Sequence, residues 1–219
     1  MNRKLKVLRI EYDRQEMSSR DAAKLRGFFA VRHQDNPLFH NHLDNKFVYS
    51  YPQIQYKVID KKPMLIGFGD GFKPLYNGVM EEENITVGER KMDTSNLNIK
   101  IYETEIGDTT DFVKYRFLNP WLSLNQKNYE EYMGANNEER KVLLRKVLTG
   151  NVLSLAKSLD LTIENTLVPE VNLKEITVNF KNNQMIAFVG DFRINFLLPD
   201  YLGIGRSVSR GFGAVKRVK

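Results

Sequence analysis

Cysteine is absent from this sequence of 219 residues, and histidine occurs only three times. The lack of cysteine excludes a disulfide framework, a thiolate nucleophile and thiolate metal ligands, and it favours a cytoplasmic protein. No apolar run approaches the roughly 18 residues of a membrane-spanning helix, and the charged, alternating N-terminus differs from a signal peptide, so we expect no membrane partner. Because 42% of the residues are hydrophobic, the chain has enough apolar surface to build a folded core.

Acidic residues are missing from the C-terminal segment, although the whole chain carries a net charge of only +6. Residues 201–219 hold five basic side chains and no acidic one, whereas residues 80–105 are rich in acids. A basic segment attracts polyanions because each phosphate that it neutralises releases condensed counterions. The distribution of charge therefore indicates a nucleic-acid partner more clearly than the net charge does.

The first half of the chain has the pattern of a strand, a helix and several further strands. Residues 4–12 alternate between apolar and charged side chains, which predicts a strand. Ser18 or Ser19 is the expected cap of a helix that runs to Phe29. Further strands are expected at residues 53–59, 64–68, 85–87 and 97–103, and we interpret the glycine- and acid-rich residues 69–84 as a loop.

The second half repeats this pattern. After an extended segment at residues 114–124, the strongest predicted helix spans residues 137–160, with leucines along one stripe and two glutamates in its first turn. A strand is predicted at residues 175–180, followed by a hairpin of residues 185–189 and 191–198 around Gly190. A short strand at residues 214–218 closes the chain.

Two consecutive units of this kind predict the α+β class, with two tandem ferredoxin-like (RRM-like) domains, antiparallel sheets and a C-terminal glycine-rich loop. The expected domains are residues 1–108, which contain the histidines, and residues 109–219, which contain the glycine-rich loop. No low-complexity linker marks the boundary, which we place between about residue 105 and residue 115.

The glycine-rich loop is the first candidate functional segment, with four glycines among the eleven residues 203–213. Glycines let the backbone approach an anion closely, and arginines add guanidinium forks. The pattern is neither a Walker loop nor a dinucleotide fingerprint, because no Lys-Ser/Thr pair and no long helix follow it. A plain flexible turn is the alternative. The candidate RNA-binding residues are Gly203, Gly205, Arg206, Ser207, Arg210, Gly211, Gly213 and Lys216.

All three histidines, His33, His40 and His42, lie within ten residues. Imidazole titrates near neutrality, so one ring can accept a proton from a ribose 2′-hydroxyl while another protonates the leaving 5′-oxygen. Positive or hydroxyl-bearing side chains nearby would stabilise the charge on the phosphorus, with Arg32, Lys46 and Tyr49 as candidates. His33 is expected to end the first helix, where a cationic ring suits the helix dipole.

Other interpretations of these residues stay open. A histidine pair often has a surface or structural role, and a His-x-His metal site would need carboxylates from elsewhere in a chain without cysteine. We expect no metal and no cofactor, because the acidic cluster at residues 81–83 has no companion motif. The 23 tyrosines and phenylalanines include candidates for base stacking, although most are expected in the core.

Five blocks of sequence support a resemblance to a known family. The C-terminal YLGIGRSVSRGFGAVKRV resembles the glycine-rich loop of the CRISPR-repeat endoribonucleases of the repeat-associated mysterious protein superfamily. The blocks KLRGFFA, HNHLDNKFVYSYPQIQYKVID, FLNPWLSLN and VLTGNVLSLAKSL resemble the archaeal type I-B branch of these enzymes. The resemblance extends through nearly the whole chain, and the histidine block makes it specific to that branch.

This resemblance implies two ferredoxin-like domains and metal-independent cleavage within CRISPR repeats, leaving a 2′,3′-cyclic phosphate and a 5′-hydroxyl. It implies that His40 and His42 are the acid–base pair and that Tyr49 belongs to the active site. Arg32 stands where the branch can carry a lysine; arginine holds a phosphate but does not release a proton, so it is not a general acid.

The expected partner is CRISPR repeat RNA, either single-stranded or as a short hairpin. The type I interference complex and a second copy of the chain are further candidate partners. Two rival functions remain: a non-catalytic RNA-binding subunit of a CRISPR ribonucleoprotein complex, which the arginine at position 32 favours, and, more distantly, a metal-dependent nuclease.

Overall fold

The computed structural model describes residues 3–13, 15–40, 42–43, 46–47, 51–94 and 96–218. Its backbone divides into two compact units. The N-terminal unit comprises residues 4–104 together with residues 208–211, and the C-terminal unit comprises residues 105–207 and 212–218 with Arg3. Among the described residues, no helix is long and apolar enough to cross a membrane.

The N-terminal unit begins with strand β1 and helix α1 and continues through short strands to the first half of a long strand. Its elements are β1 (Arg3–Tyr12), α1 (Asp21–Arg32), a 3₁₀ turn (Pro37–Phe39), β2 (His42–Leu43), β3 (Lys46–Phe47), β4 (Ile54–Ile59), β5 (Lys62–Phe68), a 3₁₀ turn (Gly69–Gly71), α2 (Phe72–Met80), β6 (Asn84–Val87), β7 (Arg90–Asp93) and β8 (Leu97–Phe117). The main sheet has the strand order β4-β5-β1-β8.

This strand order, with a helix after the first and the third strand, is the ferredoxin-like arrangement. The strands β5 and β1 are antiparallel, with Ile66 opposite Arg9, and β4 pairs antiparallel with β5 through Tyr56 and Leu65. Apolar side chains from β1, α1 and β4 form the core of the unit, in which Phe29 of α1 packs against Tyr56 at a ring separation of 5.7 Å.

The C-terminal unit begins with the second half of β8 and repeats the arrangement. It continues with α3 (Gln126–Gly134), α4 (Asn137–Ser158), β9 (Glu170–Phe180), β10 (Asn183–Leu197), a 3₁₀ turn (Val208–Arg210, which groups with the N-terminal unit) and β11 (Val215–Arg217). Strand β8 lies between β10 and β11, and β9 pairs with β10. Trp121 is fully buried, stacked on Phe117 at 5.4 Å.

The structure confirms the predicted α+β class with ferredoxin-like units and antiparallel sheets. The helix α4 was also predicted, and it begins with a capping box in which the Asn136 side chain accepts from Glu139 N while the Glu139 carboxylate accepts from Asn136 N. This reciprocal pair satisfies amides that have no partner within the helix.

Three predictions about local structure were wrong. Residues 72–80 of the expected loop form helix α2. Gly190 does not turn a hairpin: β10 runs straight through it, and the hairpin turn is at Lys181 and Asn182, both with positive φ, between β9 and β10. Neither Ser18 nor Ser19 caps α1, because Ser18 instead donates from its amide and its hydroxyl to the Asp21 carboxylate.

Candidate active site and glycine-rich loop

The segment after α1 places His40 in the N-terminal unit. Helix α1 ends at Arg32, and Asn36 caps a 3₁₀ turn by accepting a hydrogen bond from Leu38 N at 3.1 Å. Pro37 begins this turn, where its missing N–H has no intrahelical partner and its fixed φ is suitable. The His40 N–H donates to the Pro37 carbonyl at 3.2 Å and closes the turn.

Two hydrogen bonds orient His40. Its Nε2 lies 3.0 Å from the Gln34 carbonyl oxygen, and its own backbone carbonyl accepts a hydrogen bond from the Arg26 guanidinium of α1. A backbone carbonyl only accepts, so Nε2 must carry a hydrogen in this arrangement. The Gln34 contact therefore fixes the tautomer and the orientation of the imidazole ring, as a second contact commonly does for functional histidines.

The two other predicted members of the histidine block are only partly described. His42 lies in β2, where its backbone is opposite Phe47 of β3, and its side chain is outside the described part of the structure. Tyr49 and the residues beside it, 48–50, also lie outside the described residues. Their assignment to the site therefore stays a prediction from the sequence.

Arg32 forms a surface ion pair. Its Nε lies 3.5 Å from a Glu82 carboxylate oxygen, and its guanidinium lies 5.6 Å from the centre of the Phe28 ring. The Arg32 side chain is 59% exposed, so this pair contributes little to stability and can be given up for a phosphate.

His33 has a packing role. Its ring stacks on Phe39 at 4.3 Å and on Phe29 at 6.2 Å, and its Nε2 is buried without a hydrogen-bond partner among the described residues. His33 does occupy the C-cap of α1, as predicted. These three rings pack the end of α1 against the turn before His40, so His33 supports the position of His40 through packing.

Part of the glycine-rich loop belongs to the C-terminal unit and depends on its glycines. Gly205 has φ +101, and a Cβ there would lie 2.5 Å from the indole nitrogen of Trp121. Gly213 has φ +65, and a Cβ would collide with the Ile204 carbonyl oxygen. These are conformations and approaches that only glycine adopts without strain.

Within this part, Arg206 is held by backbone carbonyls of the segment after β8. Its N–H donates to Leu122 O at 2.9 Å, and one guanidinium nitrogen donates to Leu124 O at 2.5 Å. Gly203 pairs with Ala214 in an isolated bridge, Ser207 has φ +56, and Lys216 of β11 lies 5.8 Å from the Tyr201 ring. Arg206 therefore has a structural contact in addition to its predicted contact with RNA.

Residues 208–211 of the loop belong to the N-terminal unit and pack on α1 and β4. A Cβ on Gly211 would lie 2.7 Å from the Ala22 side chain of α1, so the loop backbone rests directly on the helix. Lys57 of β4 donates from Nζ to the Val208 carbonyl at 2.9 Å. The Arg210 side chain, between these two anchors, has no hydrogen bond or ion pair with any described residue.

Lys57 is the most unusual charged residue of this unit. It is fully buried, and burial lowers the pKa of its amine to about 7. Buried amines lose their charge readily because desolvation penalises the protonated form. An amine in either protonation state can donate to Val208, so this hydrogen bond persists while the charge changes.

Sequence reasoning missed Arg26 and Lys57. One signal was present for Lys57: polar residues alternate at Gln53, just before β4, and at Gln55 and Lys57 within it, which is typical of a strand with a polar face. That face is not exposed to solvent, because all three side chains are buried. Gln53 accepts hydrogen bonds from Asp70 N and Gly71 N. Nothing local to Arg26 distinguishes it from the other basic residues near α1.

Comparisons with known proteins decide the family. The model of the Cas6b N-terminal domain matches residues 3–105, and that of the Cas6b C-terminal domain matches residues 107–218. The chain belongs to the Cas6b family. It is thus a member of a family of CRISPR RNA processing endoribonucleases, and the recognised resemblance is confirmed.

Solved structures agree with this assignment. A Cas6b crystal structure is 44% identical with a TM-score of 0.95, over 99% of this chain and all of that one. A CRISPR RNA processing endoribonuclease Cas6b is 39% identical with a TM-score of 0.80, over the same shares. An uncharacterized protein of Methanocaldococcus jannaschii is 45% identical over 121 residues, which are 55% of this chain and 82% of that protein.

Proposed function

We propose that this Cas6b protein cleaves precursor CRISPR RNA within its repeats without a metal, through attack of a ribose 2′-hydroxyl. The observation that carries the proposal is His40, whose imidazole ring is oriented by the contact of Nε2 with the Gln34 carbonyl oxygen. His42 follows two residues later, and a loop with basic residues belongs in part to the same unit. RNA supplies its own nucleophile, so proton transfer and charge stabilisation are sufficient for this chemistry.

The two histidines have separate roles in proton transfer. His42 accepts the proton of the 2′-hydroxyl, and the 2′-oxygen forms a bond to phosphorus. The bond between phosphorus and the 5′-oxygen breaks, and its electron pair stays on that oxygen, which takes a proton from His40. The products are a 2′,3′-cyclic phosphate and a 5′-hydroxyl. The two histidines can exchange these roles.

Arg32 and Tyr49 are assigned electrostatic support. The guanidinium of Arg32 stays protonated, so it can stabilise negative charge on the phosphate but cannot act as the acid. The Tyr49 hydroxyl can donate a hydrogen bond to a phosphate oxygen. CRISPR repeat RNA is held by the glycine-rich loop, where Gly203, Gly205, Gly211 and Gly213 let the backbone approach the RNA closely. Ser207 and the cations of Arg206, Arg210 and Lys216 contact the phosphates.

Alanine at both His40 and His42 tests the acid–base assignment. We expect the double variant to lose cleavage by at least about a thousandfold, because general acid–base catalysis contributes about 10²- to 10⁴-fold, and to bind repeat RNA like the parent. His33→Gln removes the third imidazole, which packs before His40 and transfers no proton, and should reduce cleavage far less than the double variant does. Cleavage of the same phosphate by the double variant at the parent rate would refute the assignment.

The dependence of the cleavage rate on pH separates catalysis by histidine from the rival function. Proton transfer by imidazoles predicts a rate that changes between about pH 5 and pH 8. The rival is a non-catalytic RNA-binding subunit, favoured by the ion pair of Arg32 with Glu82 at the position of a family lysine. Tight repeat binding without cleavage at any pH would favour that rival.

A further inference from the structure

Helix α1 carries an arginine that the proposed mechanism does not use. Gly211 of the glycine-rich loop rests on Ala22, and Arg26 is one helical turn further along α1, on the same face of the helix. The Arg26 guanidinium donates to the His40 carbonyl. Arg26 therefore links the end of the loop that packs on α1 to the candidate catalytic histidine, all within the N-terminal unit.

Among the described residues, Arg26 has no negatively charged partner. Its side chain is half-buried, its Nε is buried without a hydrogen-bond partner, and it has no ion pair with a carboxylate among the described residues. Burial lowers the pKa of Arg26, and the positive charge of Arg210 lowers it further. Two guanidinium groups are thus near one another, and neither has an ion pair with any described residue.

Like charges in a partly desolvated place repel each other, and a bound anion removes that penalty. Guanidinium groups present donors in a planar fork that matches the oxygens of a phosphate. Arg26 uses one nitrogen for the His40 carbonyl and has further N–H groups for a second acceptor. Backbone N–H groups in turn and left-handed conformations, such as Gly211 with φ +97, add to a favourable field for an anion.

We propose that Arg26 and Arg210 together bind one backbone phosphate of the RNA, next to the bond that His40 helps to break. This inference rests on the proposed function. It adds a binding residue outside the glycine-rich loop. It also gives Arg26 a second task, because the guanidinium that holds the phosphate also holds the His40 backbone. Binding of RNA and positioning of His40 are then coupled.

The test combines the replacement of single phosphates of the RNA with changes of the two arginines. Repeat RNA from the CRISPR array of the same genome, blocked by a 2′-deoxy nucleotide at the cleavage site, is synthesised with one neutral methylphosphonate at a time. With the parent protein, we expect one methylphosphonate near the blocked bond to weaken binding about tenfold. With Arg26→Gln or Arg210→Gln, unmodified RNA should bind about tenfold more weakly, and that methylphosphonate should cause no further loss.

Two further variants make the result specific. Arg90→Gln is the matched control, since Arg90 also donates one guanidinium hydrogen bond to a backbone carbonyl, that of Glu16, in the same unit. It should bind RNA like the parent. Arg26→Lys keeps the charge but loses the fork, and should recover part of the affinity while cleavage stays slow, because lysine holds His40 less firmly.

The outcomes separate this inference from the proposed function. If Arg26→Gln slows cleavage but binds every modified RNA like the parent, Arg26 only supports His40 and the phosphate site is wrong. A second outcome is that the fold losses of RNA affinity from Arg26→Gln and from a methylphosphonate multiply at every position. The two arginines and the phosphate would then act independently, which would also overturn the phosphate site. A parent protein that neither binds nor cleaves the repeat would instead refute the proposed function.

Discussion

The two units share a strand order and differ in the connection between their third and fourth strands. In the N-terminal unit this connection, from β5 to β8, contains helix α2 and a two-stranded hairpin. In the C-terminal unit the corresponding connection, from β10 to β11, contains the glycine-rich loop and no α-helix. The same framework therefore supports a packed helix in one unit and the glycine-rich loop, the candidate RNA-binding segment, in the other.

Glycines serve different purposes in the two connections. In the N-terminal unit Gly67 gives α2 room, since a Cβ would lie 2.9 Å from the Leu75 side chain. In the C-terminal unit Gly205 and Gly213 adopt positive φ, so their role concerns the backbone conformation itself. The comparison teaches that the glycine of one connection makes room for a helix, whereas the glycines of the other determine the backbone of the candidate RNA-binding loop.

The largest expected effect comes from Gly213→Ala. Positive φ and the collision with Ile204 O force the loop to move, which we expect to destabilise the protein by about 3 kcal/mol and to abolish cleavage. Thermal unfolding should show a midpoint lower by roughly 6–12 °C. Gly150→Ala is the control, because nothing lies within 4 Å of a Cβ at that helical position, and it should stabilise α4 by about 0.5–1 kcal/mol. Equal effects of both changes would contradict the account.

A smaller, pH-dependent effect is expected from Lys57→Met. The pKa of Lys57 is lowered from 10.5 to about 7 in the folded protein, so between these pH values the unfolded chain holds one proton more. The free energy of unfolding of the parent should therefore rise with pH in this range, by up to about 1.4 kcal/mol per pH unit from this residue. Below pH 7 the buried ammonium group of Lys57 destabilises the folded parent, and the methionine variant has no such charge.

Denaturant unfolding at several pH values measures this difference. The stability of Lys57→Met relative to the parent should fall as the pH rises from 7 to 10, and the variant should bind repeat RNA more weakly because the Val208 carbonyl loses its donor. Lys100→Met, at an exposed position of β8, is the control and should show a constant difference. Parallel curves for Lys57→Met and the parent would exclude a buried amine with a lowered pKa.

The smallest expected effect compares the two arginines of the loop. Arg206→Gln removes the donor to Leu124 O and should lower stability by about 1 kcal/mol, which corresponds to about 2–4 °C in the unfolding midpoint. Arg210→Gln removes no hydrogen bond between described residues and should leave the midpoint unchanged while RNA affinity falls. If Arg210→Gln lowered the unfolding midpoint and Arg206→Gln left it unchanged, Arg210 would be the structural residue and the account of the two arginines would be wrong.

The regular elements with clear periodicity were predictable, and those that depend on the remaining fold were not. The leucine stripe and the first-turn glutamates predict α4, whereas α2 is hidden by glycines and by Pro74. This proline lies in the first turn of α2, where its missing N–H has no cost. Gly190 was interpreted as a turn, yet it lies within β10, where a Cβ would collide with Asn172 O: the neighbouring strand requires the glycine, and no local pattern shows this.

The chemistry of the candidate site was predictable from the sequence, whereas the residues that hold the site in place were not. Three histidines within ten residues and a basic glycine-rich segment are visible in the sequence. Arg26 and Lys57 become relevant only because the fold brings residues 208–211, far along the chain, onto α1 and β4. Such long-range neighbours leave no periodic pattern, so the positions that orient His40 and hold the loop required the structure.

Cleavage of labelled repeat RNA in excess EDTA, beside copies with a single 2′-deoxy nucleotide at each candidate position, tests the central claim most directly. The account predicts cleavage at one phosphate despite the chelator, a 2′,3′-cyclic phosphate end, and complete loss of cleavage with one 2′-deoxy substitution only. Cleavage that requires a divalent metal, or that continues with every 2′-deoxy copy, would contradict the account.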